Sequence, residues 1–322
     1  MWLAVAIISY FLNAGVYIAD KFLLSKKIHS SVVYAFYVGI WSIFNFSLLV
    51  LSPWFPSLRE LMLDLTAGML FLGTLIFWYK TLHQSEATRA TTLVGALTPI
   101  FSLVLSFIFL GNLPNERQFL AFVILIIGGI MISVKHTRFY LLREVADRIK
   151  SVLGDILGLI HAHYRPVRRL VFNSAASALL FAAYYILMKY IYLHQPFIGG
   201  FVWSRLGTFV GAILILFVPE WRTKIKNYAA NQKTPKNLGF FLSIRLLAAL
   251  AFIMLNWAIS LGNVALINAL QGTQFLFLLI MVVIISSYFP HILKEELGRG
   301  VMFQKVMGIV LVSLGIYVLI TA

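Results

Sequence analysis

The sequence predicts an all-α integral membrane protein with ten transmembrane helices arranged as two inverted five-helix repeats. Three observations predict this class. Of the 322 residues, 61% are hydrophobic and only 11% are charged, long apolar runs recur along the chain, and the second half echoes the first. A soluble protein has about a quarter of its residues charged, so lipid is the expected solvent. Because lipid cannot satisfy backbone polar groups, runs of roughly 20 apolar residues form helices there.

Ten apolar runs, bounded by charged residues, proline and glycine, are each long enough to cross a bilayer. The longest interruption has apolar residues at helical spacing over 141–160, which predicts either an amphipathic surface helix or a solvated linker. The chain is thus divided into a first repeat (1–134), a basic linker (135–170) and a second repeat (171–322). The predicted spans are 2–23, 31–51, 61–80, 88–110, 117–134, 171–193, 197–218, 239–261, 264–289 and 303–321.

The basic residues indicate an orientation. Most of the 26 Lys and Arg residues lie in the loops that follow odd-numbered spans. Since basic loops stay in the cytoplasm, both termini are predicted to lie outside, and we expect the cell membrane of a prokaryote. The net charge of +15 is therefore divided among loops and does not form one basic face, so we expect no nucleic-acid partner.

An internal repeat supports the division into halves. The segment 14–21 (AGVYIADK) aligns with 182–189 (AAYYILMK), and the same offset pairs Gly39 with Gly207. Further along, Gly95 falls opposite Gly272 and Gln118 opposite Gln304. Because each repeat crosses the membrane an odd number of times, the second copy must be inverted relative to the first. Inverted repeats place a solute site near the midplane, between halves that can rock.

The segment 86–99 (EATRATTLVGALTP), followed by Phe-Leu-Gly-Asn112, Gln118 and Gly128-Gly129, resembles the EamA signature of the drug/metabolite transporter superfamily. The second half carries an echo in 262–272 (GNVALINALQG), Glu295-Glu296, Gln304 and Gly308. Two departures are Asn112, where the family usually has Glu, and Leu276, which stands opposite Pro99. The resemblance implies a ten-helix solute transporter, usually with both termini inside, whereas the basic residues place them outside.

Charged residues within the spans are functional candidates because they are costly at membrane depth. Arg205 lies a third of the way into its span, and it is predicted either to contact an anionic group of a solute or to bridge carbonyls or an acidic partner. Arg245 lies nearer a span end, so its stem can carry the guanidinium to the interface. Asp20 is a candidate for ion or proton coupling, the alternative being a helix-end charge among the headgroups. Asp64 is the other carboxylate at membrane depth.

The ninth span carries Asn268, Gln271 and Gln274 at intervals of three residues, which places their amides in one polar stripe. Such a stripe faces either a cavity or a neighbouring helix. Thr98 and Pro99 in the fourth span are the predicted opposite surface, where proline leaves a carbonyl free. Weaker candidates for the substrate pathway are Trp78 and Asn13.

The sequence argues against an enzyme. It has no cysteine, no phosphate-binding glycine loop and no Ser-His-Asp arrangement. His161 and His163 have metal-pair spacing but few nearby ligands, so neither a metal nor a cofactor is expected. We therefore predict a secondary transporter that moves a small polar metabolite, with amino-acid-like solutes as first candidates, by alternating access and in the efflux direction. The alternatives are a lipid or lipid-linked sugar translocase and a non-transporting membrane scaffold. The expected partners are the solute and membrane lipid, and the expected state is a monomer, with a dimer as the alternative.

Overall fold

A computed structural model of the chain describes residues 1–26, 30–84, 87–111, 113–133, 165–231, 238–288 and 299–321. These residues form α-helices and one 3₁₀ segment, with no β-strand among them. The helices of the first half are α1 (Trp2–Lys26), α2 (Ser31–Trp41, continued by the 3₁₀ segment Ser42–Val50), α3 (Leu58–Gln84), α4 (Ala87–Leu110) and α5 (Glu116–Ser133). Those that follow are α6 (Arg165–His194), α7 (Phe197–Ile215), α8 (Pro219–Asn231), α9 (Leu238–Leu261), α10 (Val264–Ala269), α11 (Gln271–Tyr288) and α12 (Arg299–Ile320).

The all-helical membrane class predicted from the sequence is confirmed. Among the described residues, seven segments are long and apolar enough to cross a membrane. Two further apolar helices, Val94–Leu110 and Val306–Ile320, are shorter within the described residues. Every predicted span coincides with a helix or with two consecutive helical segments, while the full set of ten spans and its inverted symmetry stay a prediction. The predicted helix over 141–160, the histidines 161 and 163, Asn112 and Glu295-Glu296 lie outside the described residues.

The structure differs from the predicted organisation in one connection. The polar segment after the seventh span, predicted as a loop, forms α8. Its first residue is Pro219, which suits a helix start, and Glu220 in the first turn pairs with Lys224 at 2.6 Å. Ile225 is buried, and the ring of Tyr228 lies 5.8 Å from that of Tyr37 on α2. A helix with this polar face and this small buried face does not cross the bilayer.

The closest approach of the two halves lies between α3 and α7, where glycines bring the backbones together. A Cβ atom on Gly68 would overlap the carbonyl oxygen of Ser204, and one on Gly207 would overlap the backbone of Leu65. The Thr208 hydroxyl donates to the carbonyl oxygen of Gly68 at 3.2 Å. Small residues permit this packing in lipid, where close van der Waals contact holds helices together.

A second close contact joins the last spans of the two halves, α5 and α12. A Cβ on Gly128 would lie 2.9 Å from Val312, and one on Gly315 would lie 2.8 Å from Leu125. The Gln304 amide donates to the carbonyl oxygen of Met131 at 2.9 Å. The α5–α12 pair therefore packs tightly along its length.

The remaining helices interleave the halves around the centre. Helix α1 of the first half packs along α9 and α11 of the second half. Helix α6 of the second half packs along α3 and α4 of the first half. Large apolar side chains such as Phe109, Phe172 and Tyr317 point outward, as expected for surfaces that face lipid. This arrangement leaves a cavity between the helices at the centre.

Candidate functional site

The cavity has a volume of about 520 Å³ and is lined by α1, α2 with its 3₁₀ continuation, α3, α4, α6, α7, α9, α10 and α11. It brings together nearly all the site residues predicted from the sequence, which come from both halves. Pro99, also predicted, is buried in α4 but does not line the cavity. The predicted residues that do line it are Asn13, Asp20, Trp78, Thr98, Arg205, Asn268, Gln271 and Gln274.

Arg205 on α7 is the main cationic group of the cavity, and aromatic rings surround it. Its guanidinium carbon lies 4.4 Å from the ring centre of Phe71, 4.8 Å from Phe252, 5.3 Å from Phe201 and 5.5 Å from Tyr184. Its Nη2 donates to the Tyr184 hydroxyl at 2.6 Å. Cation–π contacts of this kind stabilise a desolvated guanidinium.

The charge of Arg205 is not neutralised by a neighbouring acid. The residue is 4% exposed, and within the described residues no carboxylate lies within ion-pair distance of it. Its Nε is buried and has no hydrogen-bond partner in this part of the chain. Among the described residues Arg205 therefore makes no bridge to an acidic side chain, while its contact with an anionic solute stays a prediction.

A second polar group comes from the broken ninth span. The helix is interrupted at Leu270, between α10 and α11, and Asn263 caps α10 by accepting from the amides of Ala265 and Leu266. On either side of the break, Asn268 and Gln274 are buried at the cavity. Interrupted helices with polar groups are a recurrent feature of solute sites at the bilayer midplane.

The side-chain amides of Asn268, Gln271 and Gln274 form only some of their possible hydrogen bonds with the protein. Asn268 donates to the Ser102 hydroxyl on α4 at 2.7 Å, which explains one end of the predicted stripe as helix packing. The Nε2 of Gln274 is buried without a partner within the described residues, and Gln271 is partly exposed at the cavity. The side chain of Gln274 also interacts with the Tyr17 hydroxyl, and both amides lie at the cavity.

A buried ion pair lies at the edge of the cavity. Arg245 on α9 pairs through Nη2 with Oδ1 of Asp20 on α1. The Tyr34 hydroxyl on α2 donates to the same oxygen at 2.6 Å. The sequence predicted that Arg245 reaches the membrane interface, and this was wrong: its side chain is 10% exposed because it bonds to Asp20. Asp20, the predicted candidate for ion or proton coupling, is therefore held in an ion pair.

Asn13 and Trp78 occupy one wall of the cavity. The Asn13 amide donates to the carbonyl oxygen of Ser9 at 3.1 Å, and the ring of Trp78 lies 5.2 Å from that of Tyr17. Both are placed to shape the wall more than to bind charge.

Apart from Trp78, the aromatic lining of the cavity was not predicted from the sequence. The rings of Phe71 and Phe252 lie at mid-span on two separate helices. The available signal was their depth in the spans, since belts are confined to span ends. Within the described residues no group of three or more His, Cys, Asp or Glu could hold a metal ion.

Residues 1–134 match the model of the EamA-like transporter family. A solved structure titled "Crystal structure of protein" aligns with 97% of this chain and 94% of its own, with a TM-score of 0.62 and 12% sequence identity. At that identity the likeness concerns the fold alone. The comparison with curated proteins returns no match.

Proposed function

We propose, on the premise that residues 1–134 belong to the EamA-like transporter family, that this integral membrane protein is a secondary transporter of a small polar metabolite. It works by alternating access and in the efflux direction. The observation that carries the proposal is Arg205, a guanidinium buried at a central cavity without a carboxylate partner among the described residues. Charges at membrane depth occur where function requires them.

The cavity favours a solute that combines an anionic group with an apolar body. Arg205 would contact the anionic group, and Gln271 and Gln274 would bind neighbouring polar atoms. The aromatic rings of Phe71 and Phe252 form apolar walls. Pockets of 300–1,000 Å³ hold drug-sized molecules, so amino acids and similar carboxylates fit a volume of about 520 Å³.

The halves 1–134 and 171–322, joined by the linker 135–170, form the inverted repeats of this proposal. The helix packing supports it, because corresponding helices have corresponding partners. The first span, α1, packs on the eighth and ninth spans, α9 and α11, while the sixth span, α6, packs on the third and fourth, α3 and α4. With both halves on one chain, the transporter works as a monomer.

The correspondence is not complete, and one departure from it supports alternating access. The third span packs closely on the seventh (α3 on α7). The corresponding pair is the eighth and second spans, α9 and α2. Within the described residues these two are largely separated, and both line the cavity. We infer that in the other state α2 and α9 close and α3 and α7 separate.

The experiment is transport by purified protein in proteoliposomes, with a panel of radiolabelled amino acids and monocarboxylates. Arg205→Ala is expected to reduce the flux of the transported solute at least about tenfold, the equivalent of one charge-assisted contact. The matched control is Arg117→Ala, since Arg117 is exposed and bonds only weakly to the carbonyl oxygen of Thr321 at 3.4 Å. Unchanged flux in folded Arg205→Ala protein contradicts the site.

One observation favours the second candidate, a lipid or lipid-linked sugar translocase. Phe44 and Leu246 line the cavity, yet they are 65% and 71% exposed on the surface of the protein. The cavity therefore extends sideways toward lipid between the 3₁₀ segment and α9. Movement of a fluorescent anionic lipid in the same proteoliposomes, with no flux of soluble solutes, supports the translocase. If replacing the polar residues of the cavity has no effect on either flux, the scaffold is supported.

A further inference from the structure

Asp64 on α3 is a buried carboxylate that the central cavity does not use. It lies one helical turn before Gly68, and therefore on the same face of α3, which packs on α7. Its relative exposure is 0%, and neither carboxylate oxygen has a hydrogen-bond partner within the described residues. The side chain of Gln195, at the turn between α6 and α7, interacts with this carboxyl group. The Oε1 of Gln195 is also buried without a partner among these residues.

An ionised carboxylate is not stable in this position. Burying an unpaired charge is strongly unfavourable, and the group becomes neutral instead. Asp20 illustrates the contrast, because it is buried to a similar extent but paired with Arg245. A proton on Asp64 removes the buried charge.

We propose that Asp64 is a proton-binding site whose protonation is required for α3 and α7 to close. When these helices separate, water reaches Asp64 and the carboxyl loses its proton. When they pack, Asp64 must first take up a proton, because the ionised form would be enclosed without a partner. This inference rests on the alternating-access cycle proposed above, since it requires α3 and α7 to part.

The site makes closure depend on the pH of one membrane face. Asp64 lies near the start of α3, so it meets water from the side at which α3 begins. A proton bound and released on the same side does not cross the membrane. Asp64 therefore sets how readily the transporter closes at a given pH but does not couple solute flux to a proton gradient.

The effects of other titratable groups near Asp64 must be distinguished from the effect of Asp64 itself. They are Glu60 on the same helix, Tyr192 and His194 on α6, and Arg205 on α7. Glu60 is exposed, and it accepts from the backbone amide and hydroxyl of Ser57. His194 is exposed as well. Glu60 and His194 are the groups that could mimic the titration of Asp64, and each can be replaced by glutamine.

The test uses a single reporter cysteine, because the chain has none of its own. Ser204 is fully buried where α7 meets Gly68, so Ser204→Cys reacts with a water-soluble maleimide only when α3 and α7 part. Thr223→Cys, on the exposed part of α8, is the control. Its labelling rate measures how the reactivity of an exposed thiol changes with pH, and the rate of Ser204→Cys is corrected by it. Only the pH is varied and no solute is added. Both reporters are labelled in nanodiscs between pH 5 and pH 9.

The corrected labelling rate of Ser204→Cys is expected to rise with pH, by up to about tenfold per pH unit for one released proton. In Asp64→Asn, a neutral isostere, it is expected to stay low at every pH. Glu60→Gln and His194→Gln keep the rise. A corrected rate that does not change with pH in the parent protein overturns the proposal even if Asp64→Asn fails to fold. A rise that persists in folded Asp64→Asn overturns it too.

The outcome separates this inference from the proposed function. If Ser204→Cys becomes accessible independently of Asp64 while solutes alter the labelling of Gln271→Cys, alternating access stands and only the proton site fails. If Ser204→Cys stays unreactive at every pH and solutes do not affect Gln271→Cys, the transport cycle itself fails.

Discussion

Asp20 and Arg245, which are 225 residues apart in the chain, form a buried ion pair between two helices. The pair joins α1 of the first half to α9 of the second, and the Tyr34 hydroxyl of α2 bonds to both partners. The bonds thus connect three helices at the edge of the cavity. Because the halves must move relative to each other during transport, this cluster is a contact that can stabilise one conformation over another.

Breaking this ion pair from one side is expected to be strongly destabilising. Arg245→Gln leaves the Asp20 carboxylate buried without its cation, and such uncompensated charges cost about 3–5 kcal/mol. The double variant Asp20→Asn/Arg245→Gln removes both charges, so its loss of stability is expected to be smaller than the sum of the two single losses. Unfolding in mixed detergent micelles, read as a double-mutant cycle, measures the coupling. Additive losses contradict a direct interaction.

The aromatic cage of Arg205 predicts that lysine cannot replace it. Lysine keeps the charge, but its compact ammonium lacks the planar face that stacks on Phe71 and Phe252 and the fork that reaches Tyr184. Arg205→Lys is therefore expected to transport the solute at least about tenfold more slowly. Tyr184→Phe, which removes only the hydroxyl partner, should have a smaller effect. Solute flux in proteoliposomes measures both, and equal activity of Arg205→Lys and the parent protein contradicts the role of the cage.

Adding one methyl group to the α3–α7 contact is expected to disturb it. In Gly68→Ala the new Cβ would overlap the carbonyl oxygen of Ser204, so the helices must separate and the fold loses about 1–3 kcal/mol. Gly73→Ala is the matched control, since no atom lies within 4 Å of a Cβ there. The control is expected to be neutral or slightly stabilised, because alanine favours helix over glycine. Thermal unfolding of the two variants tests this, and equal melting temperatures contradict the packing.

The basic loops predict a specific orientation in cells. Thr223→Cys on α8 is expected to react with an impermeant thiol reagent only when the cytoplasmic face is accessible. Ser52→Cys, after the 3₁₀ segment, is expected to react in intact cells. The reverse pattern places both termini inside, as in the usual topology of the superfamily.

Much of the helix plan was predictable because the length of an apolar run and its polar boundaries are local properties of the chain. The position of Arg205 within its span and the spacing of Gln271 and Gln274 were equally local. The partners of these residues were not predictable. Phe71, Tyr184 and Phe252 reach Arg205 from three other helices, and Arg245 meets Asp20 across the two halves. Such contacts depend on packing, which periodicity does not encode.

The break at Leu270 and the helix α8 show a different limit. The ninth span reads as one continuous apolar run, so hydropathy alone indicates one helix. At the interruption, the backbone amide and the hydroxyl of Thr273 both donate to the carbonyl oxygen of Leu270, at 2.8 and 2.7 Å. In α8, few apolar residues pack inward, too few for a strong periodic signal.

The α5–α12 pair contributes no residue to the cavity, although it is among the closest helix contacts of the protein. A rocking motion of the two halves needs an axis of rotation, along which the contacts between them stay unchanged. The glycines Gly128 and Gly315 and the Gln304 bond to the backbone of α5 lock these two helices together. Rotation about this pair would move helices that do not pack against it within the described residues, such as α2 and α9, farther than the helices that do.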